Sequence, residues 1–262
     1  MQHQVKAKKH LGQHFLNDTN IAKKIVEALL EKDNQTPIIE IGPGTGVLTQ
    51  YLINDVDNFF ALDVDTDSIA YLKATYPLKQ QKIIEGDFLK IDIEKLAGEK
   101  FNVIGNFPYN ISSQIMFKVL EHKHDVNIVV GMFQKEVAER MAEKPGTKTY
   151  GILSVLLQAF YDIEYLFTVG PEVFTPPPKV KSAVIRLIRN ERKELSCDEK
   201  LFFRVVKTCF NQRRKMIRNS VQPLLGNRDL THPYFEKRPE QLSVEQFIEL
   251  TDFVQENMVE KL

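Results

Sequence analysis

Ile38-Ile39-Glu40-Ile41-Gly42-Pro43-Gly44-Thr45-Gly46 is a short apolar run that empties into three alternating glycines. Such a run fits a central strand of a parallel sheet, buried on both faces. Val47-Leu48-Thr49-Gln50-Tyr51-Leu52 continues with helical spacing. Strand, glycine turn and helix open a nucleotide-binding βαβ unit, where missing side chains let a ligand approach the backbone. The spacing is Gly-x-Gly-x-Gly, not the Gly-x-Gly-x-x-Gly of dinucleotide sites. It argues against a pyrophosphate cradle and for a ligand whose aminoacyl part lies over Gly42 and Gly44.

Three later strand ends carry further polar signals. Asn58 to Asp63 reads as an apolar strand ending in an acid 21 positions after Gly42, placed to accept both hydroxyls of a ribose. Asp65 and Asp67 lie nearby, and all three acids can instead solvate the loop, with Asp67 or Ser68 as N-cap of the next helix. Lys82 to Glu85 runs into Gly86-Asp87-Phe88, where Asp87 can reach an adenine amino group with Phe88 beside the ring. Phe101 to Ile104 leads into Gly105-Asn106-Phe107-Pro108-Tyr109-Asn110. Asn, Pro and Gly are ordinary turn formers. The same residues can also grip a flat base. The Asn106 side-chain oxygen and a backbone carbonyl before or at Pro108 accept hydrogen bonds from an exocyclic amine, while Tyr109 stacks on the ring. Accepting both N–H bonds frees the nitrogen lone pair, which a weakly nucleophilic aryl amine needs. In open α/β sheets the ligand crevice lies outside the carboxyl ends of the strands. A methyl donor beside an amine acceptor fits all four strand ends.

With these residues the chain resembles the ribosomal RNA adenine dimethyltransferases, the small-subunit KsgA/RsmA group. That group lies within the class I S-adenosylmethionine-dependent methyltransferases. The resemblance runs through Lys9-His10-Leu11-Gly12-Gln13-His14-Phe15-Leu16, Glu40 to Gly46, Gly86-Asp87, Gly105 to Ser113, Phe174-Thr175-Pro176-Pro177-Pro178-Lys179-Val180 and Arg213-Arg214-Lys215. It implies a Rossmann-like, mostly parallel seven-stranded sheet followed by a small all-helical domain. The implied enzyme dimethylates adenines of small-subunit ribosomal RNA, using S-adenosylmethionine, during ribosome biogenesis. His14 and Leu16 would contact the donor, Gly42 its aminoacyl end, Asp63 its ribose and Asp87 its adenine. Asn106 would stand at the junction of donor and acceptor, contacting the donor and, with Pro108, holding the amine, while Tyr109 and Phe174 would sandwich the target base. Three positions depart from the family's usual pattern: His14 for Asn, Asp63 for Glu and Phe107 for Leu. The alternatives are a large-subunit methyltransferase of the antibiotic-resistance type, a DNA adenine methyltransferase, and a non-catalytic RNA-binding assembly factor on the same scaffold. The run from Asn106 to Ser112 and the helical tail speak against DNA; intact glycines, Asp63, Asp87 and Asn106 speak against lost catalysis.

A chain of 262 residues with 43% hydrophobic content suffices for a large domain and a small one. The alternating strand from Val180 to Ile188 and the polar stretch after it place the boundary near residue 190: catalytic residues 1–190, RNA-binding residues 191–262. Asp198 or Ser196 can cap a helix reaching Arg218, and Ser243-Val244-Glu245-Gln246 is a capping sequence before Phe247 to Met258. No apolar run is long enough to span a bilayer, and no signal-peptide core follows the basic N-terminus. Cys197 and Cys209 fit no zinc spacing, so no metal is expected, and they suggest a reducing, cytoplasmic compartment. His122 and His124 read as surface residues, and a monomer is expected. Net charge is zero, yet Lys200 to Arg218 holds seven Lys or Arg and no acid. A basic run is ordinarily a solvated helix face. Here Phe202, Phe203, Val205, Val206 and Phe210 supply a core side, leaving Arg204, Lys207, Arg213, Arg214 and Lys215 as a phosphate-binding stripe. Phe174, beside the stiff Pro176-Pro177-Pro178 segment, is expected to be exposed.

Overall fold

A computed structural model of the protein describes residues 5–226 and 230–259. The chain clusters into two compact units, 1–138 with 162–189 and 139–161 with 190–262. The second unit thus draws in the segment 139–161 from ahead of the last strands.

The first unit is built on a seven-stranded sheet. Its strands are β2 (Ile38–Ile41), β3 (Phe59–Asp63), β4 (Ile83–Glu85), β5 (Phe101–Asn106), β6 (Val126–Gln134), β7 (Tyr161–Val169) and β9 (Ser182–Arg189), in spatial order β4-β3-β2-β5-β6-β9-β7. β2 is buried at all four positions and pairs in parallel with β3 on one side and β5 on the other. β3–β4 and β5–β6 are also parallel, while β6 and β9 pair antiparallel. From β2 the chain winds outward through β3 and β4, then returns to the other side of β2 as β5. This reversal opens a crevice at the carboxyl ends of β2 and β5, where Gly42 and Asn106 stand. A two-stranded ribbon, β1 (Phe15–Leu16) with β8 (Phe174–Thr175), is separate from the sheet.

Helices α1 (Thr19–Leu30), α2 (Thr66–Thr75), α3 (Ile93–Ala97) and α4 (Ser112–Glu121) belong to this unit. The segment after the glycine loop is not a regular α-helix. It holds a single 3-10 turn, Thr49–Tyr51, where the Tyr51 and Leu52 amides bond the third preceding carbonyl, flanked by Gln50 and Ile53 bonding the fourth. The N-cap of α2 is Asp65, not Asp67 or Ser68: its carboxylate accepts from the Asp67 amide, so the cap lies two residues before Asp67.

Phe107 is the floor beneath the Asn106–Tyr109 loop, with 1% of its surface exposed. Its ring meets Phe133 edge-on at 5.0 Å. Room for it comes from Gly105 and Gly131, which face each other in register across β5 and β6. A Cβ on Gly131 would stand 2.3 Å from the Phe107 ring, and one on Gly105 2.7 Å from it. The bulky aromatic at this position is therefore accommodated by two absent side chains.

α5 (Lys135–Ala142) leads out of β6. The second unit contains α6 (Ile152–Gln158), α7 (Glu199–Asn211), α8 (Ile217–Leu225) and α9 (Val244–Asn257). Asp198 caps α7 and the Ser243–Gln246 box caps α9. The single helix expected up to Arg218 is two, because Gln212 leaves helical geometry (φ −111°, ψ 33°) and a turn precedes Ile217. Tyr150, Phe202, Phe210 and Phe247 form its aromatic core. Among the described residues no helix is long and apolar enough to cross a membrane.

Gly131→Ala should cost about 1–3 kcal/mol by overpacking, read from denaturant melts. Adding Phe107→Leu should return part of that loss, because the smaller side chain removes the 2.3 Å contact and gives the Phe133 ring, 2.7 Å from the new methyl, room to shift.

Candidate active site

Gly42 and Gly44 both sit in the left-handed region (φ +67° and +54°), which bends the chain sharply out of β2. At Gly44 a Cβ would also strike the Phe15 ring at 2.8 Å. Asp63 staples this turn to the end of β3: one carboxylate oxygen accepts from the Asp65 amide (2.9 Å), the other from the Gly44 amide (3.4 Å). Each oxygen keeps further lone-pair capacity. Burial, only partly offset by these bonds, raises the Asp63 pKa.

Residues 8–17 form a strap held at several points. Lys8 pairs with Asp65 and, at 2.8 Å, with Asp67. Gln13 donates to Asp65 at 2.8 Å while its carbonyl accepts from the Lys8 amide at 2.7 Å. Burial alone would raise Asp65, but bonds from Gln13, Lys8, the Asp67 amide and Ser68 outweigh it and hold the carboxyl below its ordinary range. Across the crevice, Asn106 Nδ2 donates to the His14 carbonyl at 2.8 Å. His14 Nδ1 is 2.7 Å from the Pro176 carbonyl, and its ring stacks on Tyr109 with centroids 5.3 Å apart. The Tyr109 hydroxyl bonds Ser182, and burial pushes its pKa up.

The Asn106 bond has a chemical consequence. A backbone carbonyl can only accept, so the amide NH2 group is committed to His14 and Oδ1 is left as an acceptor. Asn106, Pro108 and Tyr109 line a cavity of about 210 Å³ together with His14, Gly42, Gly44, Asp63 and Asp87. A second cavity, about 460 Å³, shares Gly12, Gln13, His14 and Tyr109 with the first and is closed by Pro176, Pro177 and Pro178. His14 and Tyr109 are thus common to two adjoining cavities, one fringed by the glycine loop and strand-end acids, the other by prolines.

The family model described as ribosomal RNA adenine dimethylase matches residues 4–256. The chain belongs to that family. Proteins named ribosomal RNA small subunit methyltransferase A from Parabacteroides distasonis and Cytophaga hutchinsonii are each 58% identical to it, over 97% and 95% of this chain and 96% and 98% of theirs. A dimethyladenosine transferase from Plasmodium falciparum has a TM-score of 0.77 at 26% identity, covering 94% of this chain and 99% of that one. The 23S rRNA methyltransferase ErmE has a TM-score of 0.65 at 25% identity, covering 91% and 99%. The fold is that of the class I methyltransferases.

Within this dimethylase-family chain the expected site residues are not all placed as their sequence context suggests. Phe174 is buried, 3% exposed, and lines neither cavity. Its pairing with Leu16 in the β1–β8 ribbon turns the ring into the core, correcting the expected exposure. Leu16 is buried too and reaches the glycine loop only through a small cleft that it shares with Gly42, Gly44 and Glu40. Phe88 is buried, and its neighbour Leu89 takes the place beside Asp87 on the cavity wall. Asp87 itself accepts from the Leu89 amide at 3.0 Å and pairs with Lys90. Val64 is half exposed and also lines the cavity; an apolar residue directly after the strand-end acid was the signal for it.

In the second unit Arg204, Lys207, Arg214 and Lys215 are exposed. Arg213 differs. Its guanidinium donates to the Thr147 carbonyl at 3.0 Å, stands 3.7 Å from Glu240 and lies over Phe210, so it clasps its own unit. His122 pairs with Asp125 at 3.4 Å, and with Glu94 they form one group, among the described residues, whose ligand atoms all lie within 4.8 Å.

Glu40 stands behind the glycine loop, 1% exposed, accepting from Thr49 at 2.7 Å. Burial, with help from the Asp63 charge, pushes it from 4.5 up to about 8. The folded state therefore binds this proton more tightly than the unfolded chain, and stability should fall as pH rises from 4.5 through about 8. Glu40→Gln keeps the Thr49 contact and should flatten the melting temperature between pH 4.5 and about 8, the window of that titration.

Proposed function

We propose that this chain transfers methyl groups from S-adenosylmethionine to the exocyclic amine of adenines in small-subunit ribosomal RNA, dimethylating two adjacent adenosines during ribosome biogenesis. One observation carries the proposal: the Asn106 amide is turned by the His14 carbonyl so that its oxygen is available at the end of β5. The first cavity suits the donor. Gly42 and Gly44 offer bare backbone to its aminoacyl part, Asp63 retains lone pairs for the ribose hydroxyls, and Asp87, Val64 and Leu89 border the adenine place. His14 and Phe15 close it from the strap, while Leu16 backs the glycine loop from the small cleft beside it. The donor supplies, when bound, a methyl group already activated as a sulfonium.

The protein's work is alignment. Asn106 Oδ1 and a carbonyl of the Phe107–Pro108 segment accept the amine hydrogens and aim the nitrogen lone pair. Tyr109 stacks on the base, a contact worth roughly 1–3 kcal/mol. That gain offsets part of the few kcal/mol needed to take a base out of its stack. No side chain has to act as a strong base, since the alkylated amine gives its proton to water. Phe174 can serve as a second stacking face only if the β1–β8 ribbon shifts. In the resting structure His14 is the ring against Tyr109.

Small-subunit RNA is favoured over the large-subunit alternative by the 58% identity to relatives named for the small subunit, against 25% to ErmE. Arg204, Lys207, Arg214 and Lys215 are proposed to meet phosphates, with residues 191–262 as the RNA-binding part.

Asn106→Ala should lower methyl transfer on the order of 100-fold while donor binding by calorimetry stays near wild type. Unchanged turnover removes Asn106 from the mechanism. Replacing Arg204, Arg214 and Lys215 together by Ala should weaken RNA binding and reduce the slope of log affinity against log salt by about 2–3. The slope is measured by titration at several salt concentrations; an unaltered slope puts the phosphate contacts elsewhere.

A further inference from the structure

The second cavity is lined by six polar side chains: Lys9, Gln13, His14, Tyr109, Gln134 and Lys179. Most are already committed. Gln13 uses its carbonyl for the Lys8 amide and its nitrogen for Asp65. His14 uses Nδ1 for the Pro176 carbonyl, and Tyr109 spends its hydroxyl on Ser182. Lys9 and Lys179 are exposed at the rim and make no ion pair among the described residues. That leaves Gln134. Its side-chain amide, half-buried at the end of β6, makes no hydrogen bond among the described residues, so a donor and an acceptor stand open in a cavity otherwise walled by prolines and aromatic rings.

Its place in the sheet is specific. Met132 is the register partner of Asn106, and Gln134 lies two residues farther along the same strand, about 7 Å at strand rise. Gln134 is itself in register with Ser182, the residue that holds the Tyr109 hydroxyl. The open amide therefore neighbours both the ring that would stack on a base and the side chain that would hold its amine. Two unpaired lysines at the rim suit the phosphates on either side of such a base.

An amide in this position distinguishes purines by one atom. Beside its exocyclic amine, adenine presents N1 as an acceptor, whereas N1 of guanine carries a hydrogen. An Nε2–H aimed at N1 admits the first and repels the second. A site built to hydrogen-bond its substrate rejects an analogue that leaves the site's polar group unpaired. We propose that Gln134 reads the target base, donating from Nε2 to adenine N1 while Asn106 holds the amine. The inference rests on the adenine-methylating function proposed above and names the residue that sets its base specificity.

The test uses the full-length enzyme and small ribosomal subunits reconstituted with RNA that carries adenine, 1-deazaadenine or 7-deazaadenine at the methylated position. Gln134→Leu should lower kcat/KM on the adenine substrate roughly 5- to 100-fold, with donor affinity unchanged. Wild-type enzyme should lose a similar factor on the 1-deaza substrate alone, and Gln134→Leu should lose nothing more there. Gln134→Glu, which keeps size but lacks the donor, should behave as Gln134→Leu at an unchanged melting temperature. Equal losses by the variant on all three substrates, or a wild-type loss confined to 7-deazaadenine, would overturn the assignment. If wild-type enzyme labels none of the subunits, the proposed function itself fails; if it labels them and Gln134→Leu does so equally well, only the role of Gln134 does.

Discussion

The hydrogen bond from the Asn106 amide to the His14 carbonyl orders the whole crevice. It joins residues 92 positions apart in sequence. It settles which end of the amide faces outward, since a carbonyl has no proton to give. It also draws the N-terminal strap across the carboxyl edge of the sheet, so that both cavities acquire a common wall. The His14–Tyr109 stack and a bond from Asn110 Nδ2 to the His10 carbonyl hold the strap at the same strand end, but without the Asn106 bond its amide could present NH2 as readily as oxygen.

Other contacts make that geometry stable. Lys8 and Gln13 anchor the near end of the strap to Asp65, while Asp65 also caps α2. One residue thus ties three parts together: its carboxylate holds the strap and the helix, and its amide donates to Asp63 at the end of β3. At the far end, His14 reaches Pro176 and Asn17 reaches Thr175, joining the strap to the β1–β8 ribbon. Beneath, Phe107 fixes the height of the Asn106–Tyr109 loop by filling the space that Gly105 and Gly131 leave open. Overpacking by one methyl at either glycine would reach the Asn106–Tyr109 loop through this ring.

Much of the site was legible because its signals are local. An apolar run that meets a glycine turn has few other structural uses, and Asp63, Asp87 and Asn106 each stand at the end of a recognisable strand. The capping sequence at Ser243 was legible for the same reason, since it is closed within four residues. Phe174 was misplaced because its burial depends on pairing with Leu16, which no local pattern announces. Arg213 looked like its neighbours in a basic run, yet Thr147 and Glu240 engage it from elsewhere in the second unit.

By itself, then, the sequence determined the first four strand-and-turn units and the last strand, the carboxyl-edge polar residues and the family to which they belong, but not β6 or β7. Backbone preferences and short apolar patterns specify these over a few residues. Only the tertiary structure decided which way the Asn106 amide faces, that Tyr109 meets His14 and not Phe174, and that Gln134 is left open while Gln13 is spent. Each of those outcomes is a contest for hydrogen-bond partners or burial between distant segments, and it is resolved only when the chain has closed on itself.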